Sequence, residues 1–143
     1  MDIFNTFQIS SSALKANMIR LNTISSNLAN VETTSTPEGG AYRKKSVYFK
    51  SMPMEFQKHL DSHLKNSVQG VEVTKIMADQ TPFKKVYNPS HPDAGPDGYV
   101  EMPNINVLEE MVDMMSATRA YQANVTTIKS AKRMALKALE IGK

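Results

Sequence analysis

Residues 106–141 read NVLEEMVDMMSATRAYQANVTTIKSAKRMALKALEI, an unbroken stretch without Gly or Pro. Alternating steps of four and three from Val107 give Val107, Met111, Met114, Thr118, Tyr121, Val125, Ile128, Lys132, Ala135 and Leu139. All but Thr118 and Lys132 are apolar, so the spacing predicts one side of a long helix carrying a coiled-coil seam. Asn106 is a good N-cap, and Glu109 falls at the capping-box position three residues on. Acidic residues come early (Glu109, Glu110, Asp113) and basic ones late (Lys129, Lys132, Arg133, Lys137), which suits the helix dipole. At 1.5 Å per residue such a helix is a rod about 50 Å long, too long to fold inside a 143-residue globule.

Gly and Pro divide the rest of the chain. All seven Pro lie between residues 37 and 103, as do five of the six Gly; the sixth is Gly142. These residues break regular structure. The expectation is a mainly α protein in three parts: an N-terminal helix in 1–36, a loop and β middle in 37–103, and a C-terminal helix in 104–143. The two helices are expected to pair as a coiled coil.

The N-terminal part has its own heptad row, Phe7, Leu14, Leu21 and Leu28, with Phe4, Met18, Ile24 and Val31 beside it. Its other positions are mostly Ser, Thr, Asn and Ala, with Lys15 and Arg20 the only charged residues between 3 and 30. An ordinary solvated helix face carries Lys and Glu. Small uncharged residues allow close approach of neighbouring backbones, and they lower helix propensity. In the middle, 46–50, 70–77, 83–87 and 99–102 are β-prone runs between turn signals. Residues 54–65 have the pattern of a short helix, and 36–40 and 88–98 read as loops.

Composition excludes several function classes. No strictly apolar run exceeds three residues, which rules out a transmembrane helix and a cleavable secretory signal. The absence of Cys excludes disulfides, thiol catalysis and thiolate metal sites. A net charge of +3 is too weak to argue for nucleic acid.

Catalytic and metal motifs were sought along the chain. His59 and His63 are spaced i, i+4, but the residue after the first is Leu60 where a zinc protease has Glu. Asp93 and Asp97 lack the alternating carboxylates of a calcium loop and fit turn chemistry better. Gly39-Gly40 is no phosphate cradle, and the run Arg43-Lys44-Lys45 reads as a solvated strand edge. No Ser-His-Asp arrangement is evident, and Tyr121 lies on the apolar seam. The pattern is that of a chain whose terminal helices associate, with no enzyme activity, cofactor, metal, nucleic acid or small-molecule substrate expected. The alternative is a dimeric coiled-coil adaptor binding an acidic surface.

Four separated motifs carry a resemblance. Ser25-Ser26-Asn27-Leu28-Ala29-Asn30 with Thr33-Thr34 resembles the N-terminal signature of the bacterial flagellar rod and hook axial proteins. Thr36-Pro37-Glu38-Gly39-Gly40-Ala41-Tyr42-Arg43-Lys44-Lys45 resembles the proximal-rod branch of that family. So do Pro82-Phe83, Val86-Tyr87-Asn88-Pro89-Ser90-His91-Pro92-Asp93-Ala94, and Gly98-Tyr99-Val100 with Met102-Pro103-Asn104. The stretch 106–114 and Arg119-Ala120-Tyr121-Gln122-Ala123-Asn124 complete the likeness, which spans nearly the whole chain. Glu32 and Ala41 depart from the pattern, which has Asn and Pro there, and residues 51–69 carry no likeness.

The resemblance implies a non-enzymatic axial subunit of the flagellar basal body. Its paired terminal helices would form an inner coiled-coil layer lining the export channel, with the middle as a small outer domain. It would leave the cytoplasm through the type III export apparatus without a cleavable signal and join a rod spanning the periplasm. Its partners would be other rod proteins, copies of itself, and the rod base at the membrane ring and export gate. The residues expected at the assembly interface are Phe7, Leu14, Leu21, Ile24, Leu28, Val107, Met111, Met114, Tyr121, Val125, Ile128 and Leu139.

Overall fold

The computed structural model describes residues 3–53 and 69–141. The expected helix at 54–65, with His59 and His63, lies outside the described residues. The element order is α1 (Ile3–Ala29), β1 (Lys45–Pro53), β2 (Gln69–Ala78), β3 (Lys84–Tyr87), β4 (Tyr99–Met102) and α2 (Val107–Ile141). All four β-prone runs are strands, extended by a few residues or trimmed by one. They form two antiparallel two-stranded sheets, β1 with β2 and β3 with β4. In the first, Tyr48 faces Lys75 and Phe49 faces Val73, so Thr74 is the extra residue of a bulge.

The N-terminal helix ends at Ala29, earlier than the 1–36 span read from the sequence, because of the residues that follow. The Asn30 side chain donates to the Ser26 carbonyl at 2.8 Å and accepts from the Thr33 hydroxyl at 3.1 Å. The backbone N–H of Asn30 is shared between the carbonyls of Ser26 and Asn27, and Thr33 N–H closes a turn on Asn30. Short polar side chains here give the backbone a partner outside the helix. At the other end, the expected cap of α2 is in place: the Asn106 side chain accepts from Leu108 N–H at 3.1 Å.

α1 packs on both neighbours, α2 on one side and the β1–β2 hairpin on the other. Arg20 reaches Asp113, and Asn27, further along α1, reaches Glu110, which comes earlier on α2. The two helices therefore run antiparallel. The α2 residues covered by this contact are Glu110, Met114, Ala117, Tyr121, Asn124, Ile128, Ala131 and Ala135, spaced by four and three. On α1, Arg20 and Asn27, seven residues apart, make bonds to α2.

This phase differs from the sequence reading. Met114, Tyr121, Ile128 and Ala135 belong to both rows. Of the alternate positions, Glu110, Ala117 and Ala131 are buried, Thr118, Asn124 and Val125 are half-buried, and Met111 and Lys132 are exposed. The reason is size. Ala117 and Ala131 are 1% and 2% exposed, and no Leu is buried among the described residues. The most tightly covered positions of α2 carry small side chains, and Met114, Tyr121 and Ile128 lie between them half-buried.

Side-chain contacts hold the middle against the N-terminal part of the chain. Ser12 Oγ donates to Ile9 carbonyl at 2.7 Å and accepts from Val71 N–H at 3.1 Å, tying β2 to the helix. Thr34 donates to Asp93 at 2.7 Å, so this Asp tethers the 88–98 loop to a residue 59 positions away and not only to its own turn. In that loop Gly98 has φ +74°, and a Cβ there would sit 2.9 Å from the Tyr87 ring. The close approach lets Tyr87 and Tyr99 stack edge to face at 5.3 Å.

Candidate assembly surfaces and the junction that orients them

α1 ends, β1 begins and α2 begins at one point, and three segments distant in sequence meet there. Asn27, 1% exposed, has its amide satisfied on every side. Its Nδ2 donates to the Lys45 carbonyl at 2.9 Å and to Glu110 Oε2 at 3.0 Å. Its Oδ1 accepts from Lys45 N–H at 2.9 Å and from the Tyr42 hydroxyl at 3.1 Å. Two donors and two lone pairs are the whole capacity of a carboxamide. By bonding both the N–H and C=O of Lys45, Asn27 acts as a strand partner for the first residue of β1.

Glu110, 2% exposed, is the other half of the junction. Its second oxygen meets Lys44 Nζ at 2.7 Å. A buried carboxylate is tolerable because it is both paired and hydrogen-bonded. The Glu110 bond is the main cause that raises the Lys44 pKa above 10.5; burial opposes it, and the charges of Glu110, Glu109 and Asp113 add to it. The Arg43-Lys44-Lys45 run is thus not a plain solvated edge. Lys44 enters the junction, Arg43 lies over the Phe83 ring at 4.4 Å, and the Lys45 ammonium sits 5.6 Å from the Tyr42 ring. These roles were missed because a charge run gives no sign of a buried partner many residues away. The available signal was Glu110 itself, a charged residue in register with Ala117, Asn124 and Ala131.

The junction leaves particular apolar surfaces outward. On α2, Val107, Leu108, Met111, Val112 and Met115 are 43% to 73% exposed and lie on one arc of the first three turns. Leu136 and Leu139 are exposed near its end. Of the expected interface residues, Val107, Met111 and Leu139 are exposed and Ile24 is buried within the chain. Phe7, Leu14, Leu21, Leu28, Met114, Tyr121, Val125 and Ile128 are half-buried. A second apolar surface is the groove of about 500 Å3 between α1 and β2, lined by Ala16, Ile19, Val71, Val73 and Ile76 with Lys15 at its rim.

Family comparisons fall on both helices. The family described as flagella basal body rod protein matches residues 7–35, and the one described as flagellar basal body rod FlgEFG protein C-terminal matches 97–141. The class is therefore that of the bacterial flagellar basal-body rod proteins. Full-length relatives narrow it. The chain is 43% identical to the flagellar basal-body rod protein FlgC of Bacillus subtilis, over all of both chains. It is 43% identical to that of Borreliella burgdorferi over 99% of this chain and 98% of the relative. To that of Salmonella typhimurium it is 42% identical over 99% of each. The chain belongs to the FlgC family of flagellar basal-body rod proteins. It is a structural subunit of the basal-body rod and not an enzyme. The adaptor reading finds no support in these relatives.

Proposed function

We propose that this chain is a subunit of the proximal rod, assembling head-to-tail with other rod proteins and with copies of itself. Together they form the drive shaft and its central export channel. Residues 1–36 and 104–143 supply an inner layer of coiled-coil helices, and 37–103 form a small outer region. The subunit leaves the cytoplasm through the flagellar export apparatus without a cleavable signal. It docks near the rod base at the membrane ring and takes its place in a shaft that crosses the periplasm. Its partners are proteins; neither nucleic acid nor a small-molecule substrate or cofactor takes part.

The observation that carries this reading is the apolar arc of α2, from Val107 to Met115. Clustered exposed apolar residues on one helix face mark a surface covered in the working state. Val107, Met111 and Leu139 take part directly, and the half-buried seam residues close the interface from its margins. Ile24 serves by holding α1 in place. A photo-crosslinking residue at Val112 tests this in motile cells. Adducts with rod proteins or with a second copy support the reading. Recovery of the chain without such adducts from purified basal bodies contradicts it.

A further inference from the structure

We propose that the Asn27–Glu110–Lys44 junction is a register lock: it selects one alignment of α2 along α1 and, through Lys45, couples that alignment to the placement of the β1–β2 hairpin. The most buried positions along the helix pair include the small residues Ser10, Ala117 and Ala131, and the larger Met114, Tyr121 and Ile128 recur every seven residues. A slide of α2 by one heptad puts large residues where large ones were and small where small ones were. Knobs-into-holes packing, the usual source of alignment in paired helices, does little to distinguish such alignments.

The junction is where a slide becomes costly. Moving α2 by seven residues takes Glu110 away from both Asn27 Nδ2 and Lys44 Nζ. An Ala or Met neighbour cannot satisfy either group, and a half-satisfied buried network is worse than none. Arg20–Asp113 is a poor substitute as an alignment device, since its partners are 33% and 53% exposed and 3.3 Å apart. A single buried polar residue is the best-attested means of fixing helix register, at some expense in stability.

The same amide reads the hairpin. Asn27 holds both backbone groups of Lys45, the first residue of β1, while its Nδ2 also holds Glu110. Tyr42, bonded to Asn27 Oδ1 and to Ser26 Oγ, fixes the approach of the strand. The helix pair and the hairpin therefore find their final positions together. In a small-residue helix pair with a thin core, this coupling supplies uniqueness that apolar packing does not.

The chain has no native Cys, so spin labels enter only where placed. Labels at Asn22→Cys and Lys132→Cys occupy exposed positions offset along the helix axes. A slide then reads directly as a change in distance. The parent is expected to give one narrow distance distribution by pulsed electron paramagnetic resonance. Glu110→Ala is expected to add a second population displaced by about 10 Å, one heptad of helix rise. Since that variant is at risk of unfolding, the decisive one is Asn27→Leu/Lys44→Met/Glu110→Met, which fills the junction with apolar side chains of similar size. It should unfold at a denaturant midpoint equal to or above the parent's, yet keep the second distance population and lose hydrogen-exchange protection at the Lys45 amide. A single parental distance in that folded triple variant overturns the proposal and leaves the junction a stabilising contact only. A broad distribution in the parent, or loss of folding in the triple variant, overturns it too.

Discussion

Asn27 and Glu110, 83 residues apart in sequence, share a buried hydrogen bond of 3.0 Å that closes the chain's two terminal helices at one end. Both partners are otherwise satisfied, Asn27 by Lys45 and Tyr42, Glu110 by Lys44. The bond therefore stabilises through completeness. Removing one member strands several others.

Asn27→Ala removes the partner of the Lys45 N–H and C=O and of one Glu110 oxygen, while the Tyr42 hydroxyl keeps Ser26 Oγ. The expected loss is about 2–4 kcal/mol, from the desolvation of more than one stranded group. Asn27→Asp should be worse at neutral pH, because a second carboxylate then faces Glu110, and like charges in one site repel. Chemical unfolding at pH 7 and pH 4 checks both; the Asp variant should recover part of its deficit at the lower pH.

The raised pKa of Lys44 fixes the sign of an alkaline effect. The folded state holds this proton more tightly than the unfolded state, whose value is near 10.5. Its contribution is fully present below that value and is lost as pH rises through the higher folded one. Thermal melts between pH 9 and pH 12 should show a shallower alkaline decline for Lys44→Met than for the parent. The variant should also be less stable at pH 7, where Glu110 has lost its cation.

Gly98→Ala tests the middle region. The positive φ and the 2.9 Å approach to Tyr87 both oppose a side chain there. A cost of about 1–3 kcal/mol is expected from backbone strain, with loss of the Tyr87–Tyr99 packing. Hydrogen exchange at β3 and β4 should rise while that of α1 and α2 does not.

Small residues on the seam should be less replaceable than large ones off it. Ala117→Leu forces a bulky side chain into a contact that leaves Ala117 1% exposed, and overpacking costs about 1–3 kcal/mol. Met111→Asp, at a position 51% exposed, should leave the isolated chain's unfolding midpoint unchanged. Under the proposed assembly role, it should nevertheless abolish swimming. Denaturation of the purified chain, paired with a motility assay, separates the two effects.

Much of the fold was legible because its signals are local. Asn106 announced the start of α2, the Gly and Pro positions bounded the middle, and alternating β-prone runs located four strands. The end of α1 was less so: Asn30 and Thr33 look helix-tolerant in a polar helix, and their capping bonds show only in three dimensions. The seam of α2 was legible only in part, because apolarity alone does not mark the tightest approach. Ala117 and Ala131 are buried and Met111 is exposed, so at those positions small volume, not hydropathy, goes with burial. The junction was the least legible part. Asn27 and Lys44 stood within motifs singled out for their likeness to a family, but nothing local says that one buried Glu joins them.

A cryo-EM map of isolated basal bodies that resolves side chains around this chain is the sharpest test of the proposed assembly. Leu108, Met111, Val112 and Met115 of α2 should be covered by side chains of neighbouring rod subunits, with the Asn27–Glu110 contact intact inside each copy. A map in which that face of α2 lies open to solvent in the assembled rod would contradict it.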